Sequence, residues 1–284
     1  MYDAVVLSSG SMSGICLLGA LERGCETGLV VRTRVRLWMG SSAGAMVAVL
    51  ISCGITFRDI REFCFACTQI SVYNPSISML TSRMGLDRGK LLMRQIRKLL
   101  DRHGCHARMT FHDWYKRNGN DLRITATDLV SRRLVVCSRE TTPDMPVLKA
   151  LRASISVPIA FTPVKYQGRL LVDGALTGKI PIDSVPSHFR PIGFCMWDAY
   201  NSRDIPIDGW LTYLPALMRT AYSEVTHLRI ENSSAPVVGI RCTHNPSDLS
   251  ILKDIGLISD LWDQGREALD AFIRGEKFDT RLMS

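Results

Sequence analysis

The stretch RTRVRLWMGSSAGAMVAVLIS, residues 32–52, sets an apolar run that reads as a buried strand directly against an apolar helix, with Gly40-Ser41-Ser42-Ala43-Gly44 as the joint. A strand that turns into a helix through Gly-x-Ser-x-Gly has the geometry of a nucleophile elbow. The middle serine sits on a strained turn, its neighbours are small so that the backbones can pass, and the helix N-terminus aims its positive end at a developing oxyanion. Ser42 holds that position. A Gly/Ser turn needed only for close strand–helix packing would read the same way, so the rest of the chain has to decide.

The same arrangement occurs upstream. YDAVVLSS, residues 2–9, is an apolar run ending in small residues, and GSMSGICLLGALERGCETG, residues 10–28, carries Ile15, Leu17, Leu18 and Leu21 at helical spacing before stopping near Gly24 and Gly28. Two strand–turn–helix units in succession predict a parallel sheet with crossover helices.

A helix capped at Thr56 is expected ahead of FRDIREFCFAC (57–67), followed by a polar, turn-prone segment around Asn74 to Ser82. In LDRGKLLMRQIRKLLDRHG (86–104), Leu92, Ile96, Leu99 and Leu100 share one face, while Lys90, Arg94, Arg97, Lys98 and Arg102 crowd the other. Such a helix either packs its apolar face on the core or touches a lipid surface. LRITATDL (122–129) and RRLVVCSRE (132–140) read as strands, MPVLKALRASIS (145–156) as a helix and GRLLVDGAL (168–176) as a strand ending in a turn. The tail from Trp210 is helix-rich, with APVVGIRC (235–242) as a candidate late strand. No repeat, low-complexity tract or linker interrupts the chain. A single domain over residues 1–284 is expected, with a motif-bearing part at about 3–185 and a helix-rich part at about 186–284.

Composition fits an ordinary folded protein: 284 residues, 46% hydrophobic and 22% charged. Nine cysteines, scattered from Cys16 to Cys242, suggest reduced thiols in an intracellular compartment. Cys64 and Cys67 have metal or redox spacing but no second pair and no nearby histidines, which favours buried helix thiols over zinc. No basic leader or h-region follows Met1, so no secretory signal is expected. Ala43 to Cys53 falls well short of the ~20 residues that would span a bilayer. A cytoplasmic or peripheral-membrane location follows as an expectation. The net charge of +8 favours an anionic partner, such as a membrane surface. Nucleic acid is not expected, because neither a zinc-finger nor an aromatic RNA-binding signature is present.

Two further segments bear on Ser42. SSGSMSG, residues 8–14, is a small-residue loop whose backbone N–H groups suit an acyl oxyanion or a phosphate, although a P-loop lysine and an intact G-x-G-x-x-G are both missing. LLVDGALTGKIP, residues 170–181, places Asp173 at the end of an apolar strand just before a glycine turn. His188, His227 and His244 follow Asp173, but none lies in a distinctive small-residue loop. That leaves a Ser–Asp dyad, workable when the carboxylate is desolvated and its pKa raised.

In this order, SSGSMSG, GSSAG and DGA resemble the patatin-like phospholipase family. The agreement extends to RITATDL, to ETTPDMPVLKALRASISVPIAFTPVKYQGRLLVDGAL, and to Pro181 and Ile182. The resemblance implies a three-layer α/β/α fold with a mostly parallel central sheet. It also implies a lipid acyl hydrolase acting on phospholipids or related acyl esters without metal or organic cofactor. Carried over by position, Ser42 is the nucleophile and Asp173 the general base, and backbone amides at Gly10 and Ser11 form the oxyanion hole. Gly14, Gly40, Gly44 and Gly174 support these motifs. The family usually has glycine where Ser9 and Ser11 stand, and often a basic residue where Ser13 stands. A serine resists positive φ, so a strained or reshaped loop is expected. The alternative is a patatin-like fold that binds lipid without cleaving it. Ala175 is a common variant of the family's last motif.

Overall fold

Strand β1 (Ala4–Leu7) is buried along its whole length, and the alternation of its side chains assigns the two faces of the sheet. Val5 and Leu7 enter a large core shared with Leu17, Trp38, Leu50 and Trp262. Val6 points the other way, into a cluster with Met39, Ile180, Ile182, Cys195 and Trp197. A strand buried on both faces reads as a continuous apolar run, as expected for a parallel strand covered by two helical layers.

A computed structural model describes residues 1–198, 207, 209–244 and 253–276. After β1 come α1 (Ile15–Glu26), β2 (Leu37–Ser41), α2 (Ala43–Ser52), α3 (Phe57–Thr68), α4 (Ile77–Arg83), β3 (Gly85–Asp87) and α5 (Lys90–Arg102). Next are α6 (Phe111–Asn118), β4 (Asp121–Asp128), β5 (Arg133–Cys137), α7 (Val147–Ser154), β6 (Ile159–Phe161) and β7 (Val164–Tyr166). The chain continues with β8 (Arg169–Asp173), β9 (Pro191–Asp198), α8 (Trp210–Glu231), β10 (Val237–Cys242) and α9 (Ile255–Ile273).

The main sheet runs β10-β9-β1-β2-β4-β8-β7, with β5 also paired to β4. Its path from β10 to β4 is parallel, so the α/β, mostly parallel reading holds. Strand β4 organises the rest. Ile124 and Thr125 pair with both β2 and β5, and Ala126 pairs with both β5 and β8. Strands β2 and β8 therefore occupy the same edge of β4 and run into each other head-on. Ser41 ends β2 opposite Thr125, and Asp173 ends β8 opposite Ala126. The register alone brings the serine turn and the aspartate turn together.

Helices α1 and α9 pack on each other and on β9 and β10, α2 lies on β1, β2 and β4, and α7 lies on β4 and β8. On the opposite face α8 packs over short 3-10 turns at Gly174–Thr177 and Ile182–Ser184. Thr56 caps α3 by accepting the Asp59 N–H, as expected. Helix α5 buries Ile96, Leu99 and Leu100 and exposes Lys90, Arg94, Arg97, Lys98 and Arg102. Its apolar face packs on the core.

Several features differ from the sequence reading. The segment 74–82, read as a turn, contains most of α4. Strand β9 was not anticipated, although it lies in the main sheet between β1 and the edge strand β10. Strands β3 and β6, which pair as a separate two-stranded sheet, are too short to show a period. Cys53 and Cys105 are paired as a disulfide, with Cα atoms 7.2 Å apart. Nine reduced thiols are thus corrected to one pair and seven free cysteines. The partners stand 52 residues apart, and only the approach of the segments after α2 and α5 brings them together.

Candidate active site

Ser42 sits between the end of β2 and the start of α2 with φ 53° and ψ −120°, a strained conformation for a residue with a Cβ. Its flanking glycines explain how the turn is made. A Cβ on Gly40 would fall 2.4 Å from the Gly44 carbonyl, and one on Gly44 would fall 2.4 Å from the carbonyl oxygens of Leu7 and Ser8. Helix α2 therefore starts in backbone contact with β1 and β2. The Ser42 N–H donates to Ser154 Oγ at the end of α7, 2.8 Å away.

Ser42 Oγ donates to Asp173 Oδ2 at 2.6 Å, and the pair is buried. The other carboxylate oxygen accepts the Ala175 N–H at 2.8 Å, and the Asp173 N–H donates to the Ser156 carbonyl at 3.0 Å. Burial pushes the Asp173 carboxyl up to about 7, while the bonds from Ser42 and Ala175 hold it back. Such a carboxyl accepts a proton far more readily near neutral pH than an exposed aspartate does. Gly174 is needed for close approach, since its Cβ would lie 2.6 Å from Ser41 Oγ and 2.8 Å from the Thr125 carbonyl oxygen.

The loop after β1 closes the third side. The Ser9 N–H donates to the Lys179 carbonyl at 2.8 Å, and Ser8 Oγ accepts the Met196 N–H at 2.8 Å. These bonds tie the loop to the segment after Asp173 and to β9. Ser11 stands at φ 47°, so the strain expected where the family prefers glycine is present. A Cβ on Gly14 would lie 2.5 Å from Ala43 Cβ, which seats the loop against the start of α2. Ser9, Gly10, Ser11, Ser42 and Asp173 line one pocket of about 140 Å³.

The histidines weighed from sequence lie elsewhere. His188 stacks on Phe189, His227 faces Glu231 at 3.2 Å, and His244 lies near Thr243 and Gln264. Cys64 and Cys67 are thiols of α3, and burial raises the first to about 12 and the second to about 11. Among the described residues no cluster of His, Cys, Asp and Glu could hold a metal. Sequence reasoning missed Ser154 and Ser156 beside Ser42 and Asp173. Their signal was two small polar residues, Ser154 and Ser156, at the C-terminal end of the stretch ALRASIS.

Comparison with known proteins gives concordant results. The profile described as patatin-like phospholipase matches residues 5–186. A probable lipid hydrolase of Invertebrate iridescent virus 6 is 26% identical over 284 residues, spanning 97% of this chain and 87% of that protein. An uncharacterized protein of Bacillus subtilis, YqhO, is 30% identical over 202 residues, spanning 64% of this chain and 66% of that protein. Among solved structures, VipD from Legionella pneumophila superposes with a TM-score of 0.52 at 15% identity, over 95% of this chain and 67% of that one. The ExoU–SpcU complex of Pseudomonas aeruginosa gives 0.51 at 17% identity, over 97% of this chain and 52% of that one. At these identities the structural likeness speaks to fold.

Proposed function

The chain belongs to the patatin-like phospholipase family, and from that premise we propose that it is a lipid acyl hydrolase working through a Ser42–Asp173 dyad. The main support is the 2.6 Å hydrogen bond from Ser42 Oγ to Asp173 Oδ2, made where burial raises the carboxyl to about 7. Asp173 accepts the Ser42 proton as Oγ attacks the ester carbonyl carbon. The new C–O bond leaves negative charge on the carbonyl oxygen, which the N–H groups of Gly10 and Ser11 and the N-terminal end of α2 stabilise. As the tetrahedral intermediate collapses, the alcohol departs with the proton from Asp173. Water then attacks the acyl-enzyme while Asp173 accepts its proton, and as the Oγ–acyl bond breaks Asp173 returns that proton to Ser42 Oγ and the acid leaves. This chemistry requires no metal or organic cofactor.

The substrate class is phospholipid or a related acyl-ester lipid, and the exposed basic face of α5 is the surface proposed to meet anionic lipid. The C-terminal part belongs to the same domain in this reading, because β10 extends the main sheet and α9 packs on α1. The test is labelling with a fluorophosphonate probe and mass spectrometry of the modified peptide. Modification at Ser42 that is lost in both Ser42→Ala and Asp173→Ala is the expected result. Absence of labelling in well-folded wild type refutes the dyad and selects a second reading, lipid binding without cleavage, for which the strained Ser11 is the supporting observation.

A further inference from the structure

The pocket that holds Ser42 has a mixed lining. Val157, Pro158, Leu176 and Met218 are apolar, and Lys179, Arg219 and Tyr222 are cationic or aromatic. Lys179 is only 6% exposed, which is rare for a lysine. Its backbone is fixed at both ends: its N–H donates to Thr226 Oγ1 of α8 at 2.9 Å, and its carbonyl accepts the Ser9 N–H at 2.8 Å. The ammonium lies 5.3 Å from the centroid of the Tyr222 ring, within cation–π range, and both residues line the pocket. Arg219 lines the same cavity from α8.

Hydrolysis of a neutral ester calls for neither cation, since backbone N–H groups meet the charge that develops on the oxyanion. In a glycerophospholipid the phosphate and the nearer acyl ester sit on adjacent glycerol carbons. A site that grips the ester at Ser42 thus brings the phosphate into the pocket that Lys179 and Arg219 also line. We propose that Lys179 and Arg219 form an anion subsite for a phosphate beside the scissile ester, so that lipids with a net negative phosphate headgroup are preferred over zwitterionic phospholipids and neutral acylglycerols. This rests on the hydrolase reading of Ser42. The apolar lining residues take the acyl chain, and the two cations select the headgroup.

The test uses three short-chain substrates below their micellar concentrations: dihexanoyl phosphatidate, dihexanoyl phosphatidylcholine and dihexanoylglycerol. In wild type, kcat/KM for the phosphatidate should exceed the other two by at least ~10-fold, the scale of a charge-assisted hydrogen bond. Lys179→Met and Arg219→Gln should each collapse that ratio, mainly through KM, and Lys179→Arg should largely keep it. An unchanged ratio in variants with wild-type melting curves overturns the subsite, as does a wild-type preference for the choline lipid or the acylglycerol. A binding arm separates this subsite from catalysis. Calorimetry on Ser42→Ala should detect the phosphatidate, and adding Lys179→Met should weaken it ~10-fold or more. That result supports the subsite even if wild type cleaves none of the three esters, in which case only the hydrolase reading fails. Inorganic phosphate binding as tightly as the phosphatidate overturns the headgroup assignment in favour of free phosphate. Absence of phosphatidate binding overturns the subsite outright.

Discussion

Replacing Asp173 with asparagine should abolish hydrolysis and yet stabilise the protein, increasingly so as the pH rises. In the unfolded chain the carboxyl ionises near its ordinary value of 3.8, whereas in the fold burial raises it to about 7. Between those values the folded state keeps a proton that the unfolded state has lost, so the stability linked to this proton is complete below about pH 4 and declines until about pH 7. At roughly 1.4 kcal/mol per pH unit, the loss between pH 5 and pH 8 is on the order of 3 kcal/mol. Asparagine does not titrate, and its side-chain oxygen can still accept the Ala175 N–H that Asp173 accepts at 2.8 Å. Urea unfolding of wild type and Asp173→Asn at pH 5, 6, 7 and 8 isolates the effect, because groups titrating alike in both proteins cancel in the difference. The stability of the variant relative to wild type should rise by ~3 kcal/mol across that range and level off near pH 8. Ser42→Ala removes a bond that lowers the Asp173 value, so its own loss of stability should continue to higher pH than in wild type. A difference between wild type and Asp173→Asn that stays flat within ~0.5 kcal/mol from pH 5 to pH 8 would refute the raised carboxyl.

Because the base must be unprotonated to accept the serine proton, kcat/KM on a soluble ester should climb with an apparent pKa near 7, gaining roughly tenfold from pH 6 to pH 8; a flat or falling profile argues against Asp173 as base. Gly44→Ala should cost more than ~3 kcal/mol or prevent soluble expression, since its Cβ would stand 2.4 Å from two backbone carbonyl oxygens of β1 and its loop, and a wild-type melting temperature would show that α2 can move away. The double charge reversal Arg94→Glu and Arg97→Glu, on the exposed face of α5, should weaken sedimentation with anionic vesicles and spare cleavage of a soluble ester. Equal sedimentation would remove α5 as a lipid contact.

The parts of the fold that could be read from sequence are those whose turns carry a local signature. Strands β1 and β2 each end in small residues before a helix with apolar residues at helical spacing, so the first two units were readable, and Ser42 with them. Asp173 was readable because an apolar strand broke at a glycine turn. Strand β9, PIGFCMWD, had no such marker: buried within the sheet it shows no alternation, and Pro191 and Gly193 interrupt its apolar run. Helix α4 was hidden by its serines and threonine. Lys179 lies six residues after Asp173, but its burial depends on α8, some forty residues further on. The Ser154 contact and the Cys53–Cys105 pair likewise exist only once distant segments pack.

The proposed two-residue site raises the question of what orients Asp173 as its base, a task that falls to a third side chain in a Ser-His-Asp triad. Here the main chain does it. Asp173 ends a strand that meets β2 head-on along the edge of β4; its N–H is held by the Ser156 carbonyl and its Oδ1 by the Ala175 N–H, so Oδ2 is the oxygen left for Ser42. Main-chain donors cannot be deleted by substitution, but their positions can be disturbed. Gly174, whose Cβ would strike Ser41 Oγ and the Thr125 carbonyl oxygen, therefore carries the orienting role that a side chain has elsewhere. In a dyad built this way, adding a methyl group at Gly174 should cost catalysis nearly as much as removing the carboxylate it positions.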